Sequence, residues 1–104
     1  MAERYRVLIT VSAERDVAQA YEYIRRENPR AARRWLAGLR EQILTLEQFP
    51  LRCAVVPEAD ELGYPYRHLL YGHYRLVFRV DGSTVTVLRV IHQARLLEFP
   101  VWEP

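Results

Sequence analysis

The sequence predicts an α+β domain in which a two-helix hairpin packs on one face of a small, mainly antiparallel four-stranded sheet. The element order is strand, helix, helix, strand, strand, strand. Three observations predict it. Residues 5–11 alternate side chains at a period of two, two segments between residues 12 and 49 repeat apolar residues at three- and four-residue spacing, and Asp81-Gly82 separates two β-rich runs. At 104 residues the chain fits one domain, spanning 1–104, around one core.

Each element has a local cause. Tyr5, Val7, Ile9 and Val11 alternate with Arg4, Arg6, Leu8 and Thr10, which marks a strand with one face on a core. Ser12 is the expected N-cap of the first helix, with Glu14 and Asp16 favoured by the positive end of the helix dipole. Val17, Ala20, Tyr21 and Ile24 give that helix a narrow apolar stripe through Glu27. Asn28-Pro29 then stops it and starts the next, because Asn caps well and Pro suits the first helical position. Ala32, Trp35, Leu36, Leu39, Ile43, Leu46 and Phe49 form a wider stripe that Pro50 ends. Residues 50–65, with three prolines and the acids Glu58, Asp60 and Glu61, read as a long loop.

The remainder is a meander: a strand over 66–70, a turn over 70–73, a strand over 74–80, the Asp81-Gly82 hairpin and a strand over 84–91. With Asp81 and Gly82 as the two loop residues, Val80 pairs with Ser83. Tyr74, Leu76, Phe78, Val80, Val85, Val87 and Ile91 then line the core, while Arg75, Val77, Arg79, Thr84, Thr86 and Leu88 face away from the helices. Arg89 falls beside Tyr74 in this register and beside Arg75 if the loop has three residues.

Composition excludes several classes. Half the chain is hydrophobic and 27% is charged, and no apolar run approaches the roughly 20 residues of a membrane span. The apolar stretch at residues 7–9 is too short for a secretory signal, so the expectation is a cytoplasmic protein with no membrane partner. The single Cys53 has no metal-spaced companion and reads as a small apolar loop residue. With no metal cluster, phosphate-cradling glycine loop or nucleophile triad, no cofactor is expected. All fifteen basic residues are arginine, against thirteen acids, a preference that a high-GC genome also produces. Their placement says more: residues 66–95 hold Arg67, Arg75, Arg79, Arg89 and Arg95 against one acid, Asp81. These arginines either form a basic surface for an anionic partner or keep an uncovered sheet face soluble and discourage edge pairing.

The segment YGHYRLVFRVDGSTVTVLRVIHQAR, with the strand and helical hairpin before it, resembles the RelE/ParE superfamily of type II toxin-antitoxin toxins, often labelled plasmid stabilisation proteins. The resemblance covers nearly the whole chain. The ending VLRVIHQAR, residues 87–95, is most similar to the ParE branch. That branch implies a poison of DNA gyrase without a nuclease site. The RelE branch implies cleavage of mRNA on the ribosome, which needs basic side chains and a proton-transfer group. Residue by residue, Arg75 matches the RelE phosphate-binding arginine and His92 has the chemistry of a general acid or base. The RelE lysines expected near residues 66–68 are absent, with Arg67 or His68 as partial substitutes, and the second arginine and terminal tyrosine fall at Gln93 and Phe99.

The resemblance therefore implies a ParE-like toxin acting on gyrase, with a ribosome-dependent endoribonuclease or a degenerate toxin that only binds antitoxin as alternatives. Arg75 and His92 are the catalytic candidates, and Arg67, Arg75, Arg79, His92 and Arg95 the candidate partner or nucleic-acid surface. A cognate antitoxin is implied, docking as a helix that folds on binding, with Leu96, Leu97, Phe99 and Trp102 as candidate contacts. On an open face, Arg75→Ala is expected to abolish growth inhibition and leave the fold intact.

Overall fold

The computed structural model describes residues 4–95; the tail candidates Leu96, Leu97, Phe99 and Trp102 lie outside the described residues. Strand β1 is Arg6–Ile9, helix α1 Val11–Glu27, helix α2 Pro29–Thr45, short helix α3 Ala59–Leu62, and strands β2, β3 and β4 are Arg67–Tyr71, Tyr74–Asp81 and Thr84–His92. The sheet order is β1-β4-β3-β2, with β1 parallel to β4 and the other pairs antiparallel. This is the predicted α+β architecture. No described helix is long and apolar enough to cross a membrane.

The helical hairpin forms for the predicted reasons, with two adjustments. Asn28 caps α2 by accepting the Ala31 N–H at 3.1 Å, and Pro29 opens the helix. The N-cap of α1 is Thr10 rather than Ser12: its hydroxyl accepts the Ala13 N–H at 3.0 Å and donates to the Leu88 carbonyl at 2.9 Å, tying the helix start to β4. Helix α2 stops before Phe49, which is exposed with φ +49°. The following proline disfavours helical backbone at that residue, and the chain turns to bridge Gln48 to Arg4.

One core lies between the helices and the sheet, built on Ala13, Leu39, Ile43, Leu46, Leu76, Phe78, Val85, Val87 and Val90. Cys53 is buried there, and burial raises its thiol pKa. Tyr71 reaches from the end of β2 to α2 and donates its hydroxyl to the Trp35 carbonyl at 2.9 Å, through the space a side chain at Gly38 would occupy.

The hairpin register corrects the expected one. Asp81 pairs with Thr84, so the loop residues are Gly82 and Ser83, with Gly82 at φ +56° in the first loop position, where type II′ turns favour glycine. A bulge then intervenes: Phe78 pairs with Val87 but Val77 with Arg89, leaving Leu88 as the extra residue. The extra residue resets the alternation. Val90 takes the core position expected of Ile91, and Ile91 joins Val77 and Leu88 on the opposite face. Arg89 does not reach Arg75; its Nε and Nη2 donate to Asp16 of α1 at 2.7 and 3.0 Å.

That opposite face is not open. The segment between α2 and β2 folds back over it, placing Val56, Ala59, Leu62 and Tyr66 on Val77, Leu88 and Ile91 as a second small core. The Val56 N–H donates to the Tyr66 carbonyl at 2.8 Å and the His68 N–H to Ala54 at 3.0 Å, closing the flap onto β2.

Candidate functional site

Strand alternation turns Arg75 and Val77 away from the helical hairpin, and the flap delivers Glu58 onto them. Arg75 is 3% exposed and Glu58 8%. The pair is bidentate, with Nη1 donating to Oε1 at 3.0 Å and Nη2 to Oε2 at 2.5 Å. Nη2 also donates to the Arg95 carbonyl at 2.8 Å, which ties the end of β4 to the same guanidinium. A fork of fixed donors facing a carboxylate in a buried setting is the geometry that suits arginine over lysine. His68 lies 3.4 Å away through Nδ1, and burial first, then the Arg75 charge, hold its imidazole below the ordinary histidine range while Glu58 partly opposes the shift.

This corrects the expectation of a solvent-facing Arg75. A charged side chain on a sheet face covered by apolar residues is stable only with a partner, and Glu58 is that partner. Two of the other arginines are also committed through their side chains. Arg67 sits opposite Phe78 and donates to the Cys53 and Leu51 carbonyls at 2.6 and 3.3 Å, pinning the base of the flap. Arg79 pairs with Asp81 at 2.6 Å. Arg95 is exposed, and only its backbone reaches Arg75. Of the residues expected to share one basic surface, Arg67, Arg75 and Arg79 are matched to acceptors within the fold, while His92 and Arg95 are exposed.

His92 lies opposite Tyr74 at the end of β4, while Arg75 pairs with Ile91. Its ring stacks on His73 with centroids 6.1 Å apart and planes 4° apart, and meets the Tyr74 ring edge-on at 5.7 Å. Nδ1 accepts the Ala94 N–H at 3.1 Å, so the neutral ring carries its proton on Nε2. Gln93 donates to the Gly72 carbonyl at 2.6 Å, closing the β2–β3 turn rather than standing in for a catalytic arginine. The arrangement offers a stacked pair of exposed imidazoles, His73 and His92, while the Arg75 guanidinium is buried against Glu58. No group of three His, Cys, Asp or Glu among the described residues is placed to hold a metal ion.

Sequence reasoning missed Glu58 and Asp16. Asp16 accepts from Arg89 and from the Val90 N–H at 2.9 Å, holding α1 against the bulge. A signal for Glu58 existed: an arginine flanked by Tyr74 and Leu76 in a mid-sheet strand demands a carboxylate from elsewhere, and residues 58–61 hold three acids.

A second feature is apolar. Between the helical hairpin and the β1–β4 pair lies a groove of about 160 Å³ lined by Ile9, Val17, Leu36, Leu39, Ile43, Val87 and Val90, with Glu14 and Arg40 as its charged members. Ile9, on its rim, is 42% exposed.

Residues 7–97 match the family described as the ParE toxin of the type II toxin-antitoxin system, parDE. Among solved structures, the chain is similar to the chromosomal ParDE toxin-antitoxin system of P. aeruginosa, with TM-score 0.68 and 21% identity over 88% of this chain and 98% of that one. It is also similar to a chain of the RelBE2 toxin-antitoxin complex of Mycobacterium tuberculosis, with TM-score 0.61 and 28% identity over 86% of this chain and 99% of that one. No curated protein matches in sequence.

Proposed function

The chain belongs to the ParE toxin family of type II toxin-antitoxin systems, and from that premise we propose that it inhibits bacterial growth by poisoning DNA gyrase while a cognate antitoxin holds it in check. The observation that carries the gyrase reading is the burial of Arg75 against Glu58. The guanidinium that a ribosome-dependent nuclease would present to the scissile phosphate is here a buried strut, with donors on both terminal nitrogens engaged inside the fold.

The antitoxin reading is supported by the groove between the hairpin and β1–β4. A partly exposed apolar trough bordered by helices suits the apolar face of an antitoxin segment that becomes helical on docking, with Glu14 and Arg40 available to fix its register. Both solved relatives above come from toxin-antitoxin pairs.

The experiment is incubation of the purified chain with gyrase, ATP and supercoiled plasmid. Gyrase-dependent accumulation of linear DNA is the expected result. An unaltered gyrase reaction, with mRNA cut in cells expressing the chain, would establish the nuclease instead.

A further inference from the structure

The tip of the helical hairpin concentrates positive charge, of which Arg25 and Arg26 complement the C-terminal end of the α1 dipole. Residues 25–34 contain Arg25, Arg26, Arg30, Arg33 and Arg34 against Glu27 alone, all of them exposed. Arg25 pairs with Glu22 at 2.5 Å. Among the described residues, Arg26, Arg30, Arg33 and Arg34 make no salt bridge or side-chain hydrogen bond, whereas Arg67, Arg75, Arg79 and Arg89 on the sheet are each matched to an acceptor. A genomic preference for arginine codons explains residue type but not this placement.

In α2 the placement is unfavourable for the helix itself. Helix α2 has no acid in its first turn, where the dipole favours one, and carries Arg30 there instead. Arg30–Arg33 and Arg30–Arg34 are like-charge pairs at three- and four-residue spacing, which repel. Acidic residues would stabilise this turn, so its arginines point outward, to an anionic partner. Protein interfaces need an apolar or aromatic centre, and the exposed large hydrophobic residue nearest this tip is an isolated Tyr23, at 70%. Nucleic-acid interfaces are more polar and more basic and do not need one. Asn28 is occupied as the α2 cap, leaving guanidinium groups suited to backbone phosphates.

We propose that Arg26, Arg30, Arg33 and Arg34 form a phosphate-contacting surface for duplex DNA, without sequence preference. The choice of DNA over RNA rests on the gyrase reading above: the toxin would grip the DNA segment that its target carries.

The test is fluorescence anisotropy of a short labelled duplex of mixed sequence with the whole purified chain, without gyrase, between roughly 50 and 200 mM salt. Each phosphate contact contributes a slope of about −0.9 in log affinity against log salt. The triple variant Arg30→Gln, Arg33→Gln, Arg34→Gln is expected to lose about 2.7 of that slope, so that lowering the salt across this range gains the parent about 40-fold more than the variant. Arg26→Gln alone is expected to lose about 0.9. By circular dichroism the triple variant should melt no lower than the parent, since repulsion has been removed; a lower melting point overturns the argument. So does an absence of binding by the parent, an unchanged slope, or stronger arginine-dependent binding to an RNA hairpin, to anionic vesicles or to polyglutamate. A parent that binds DNA but leaves gyrase unaffected keeps this surface and loses the gyrase reading; the reverse result loses only the surface.

Discussion

Truncating Arg75 to alanine tests the interior of the second sheet face. Arg75 and Glu58 are both more than nine-tenths buried, so solvent screens their interaction little. Removing the guanidinium leaves a carboxylate under the flap with two lost charge-assisted bonds, and it frees the Arg95 carbonyl as well. Breaking a buried pair from one side costs about 3–5 kcal/mol, which for a domain of this size lowers the melting temperature by roughly 15 °C or more. Glu58→Ala takes the carboxylate from a buried guanidinium that keeps the Arg95 carbonyl, and should cost a similar amount. Arg75→Lys keeps the charge and loses the fork, for a smaller loss of about 1.5–3 kcal/mol. The double variant Arg75→Met, Glu58→Leu removes both charges together and should recover most of the loss. Urea unfolding followed by circular dichroism reads all four. If Arg75→Ala stays within about 0.5 kcal/mol of the parent, the size of an ordinary surface substitution, the buried strut is refuted.

Three further outcomes follow from the same geometry. Gly38→Ala, which by helix propensity alone would gain about 1 kcal/mol, should instead cost about 1–3 kcal/mol, because its Cβ meets the Tyr71 hydroxyl; adding Tyr71→Phe should restore most of it, as read by thermal melts. Asp16→Ala should cost about 2–3 kcal/mol by urea titration, since Asp16 satisfies Arg89 and the Val90 N–H together. His68 is held below its ordinary range in the fold, so it takes up protons more readily when unfolded. The stability it contributes is therefore complete above an unfolded pKa of about 6.5 and is lost as pH falls through that value towards the depressed one. Urea midpoints should decline over that window in the parent and decline less in His68→Gln.

The elements legible in the sequence are those with local causes. Asn28-Pro29 fixes the helical joint because both residues act on the backbone beside them, and the alternation of Tyr74, Leu76, Phe78 and Val80 marks a strand whatever it pairs with. The bulge at Leu88 was not legible, because a run such as Val87, Leu88, Arg89, Val90, Ile91 fits either register and the choice falls to Asp16 on α1 and the apolar cover from the flap. Thr10 displaced Ser12 as the cap because its hydroxyl also reaches the Leu88 carbonyl, a contact 78 positions away. At the site, Arg75 was correctly directed away from the helical hairpin, but its exposure was misread. The flap bearing Glu58 has too many prolines and too little periodicity for sequence to show that it folds back onto β3 rather than into solvent.

The most direct test of the account combines target and strut in one protein: the folded Arg75→Met, Glu58→Leu chain, assayed for gyrase-dependent linearisation of supercoiled plasmid beside primer extension of mRNA from cells expressing it. A gyrase poison that uses Arg75 only to hold its flap retains linear product and leaves the mRNA intact. A parent that cuts mRNA and a folded double variant that does not, with gyrase unaffected by either, would contradict both the target and the role assigned to Arg75.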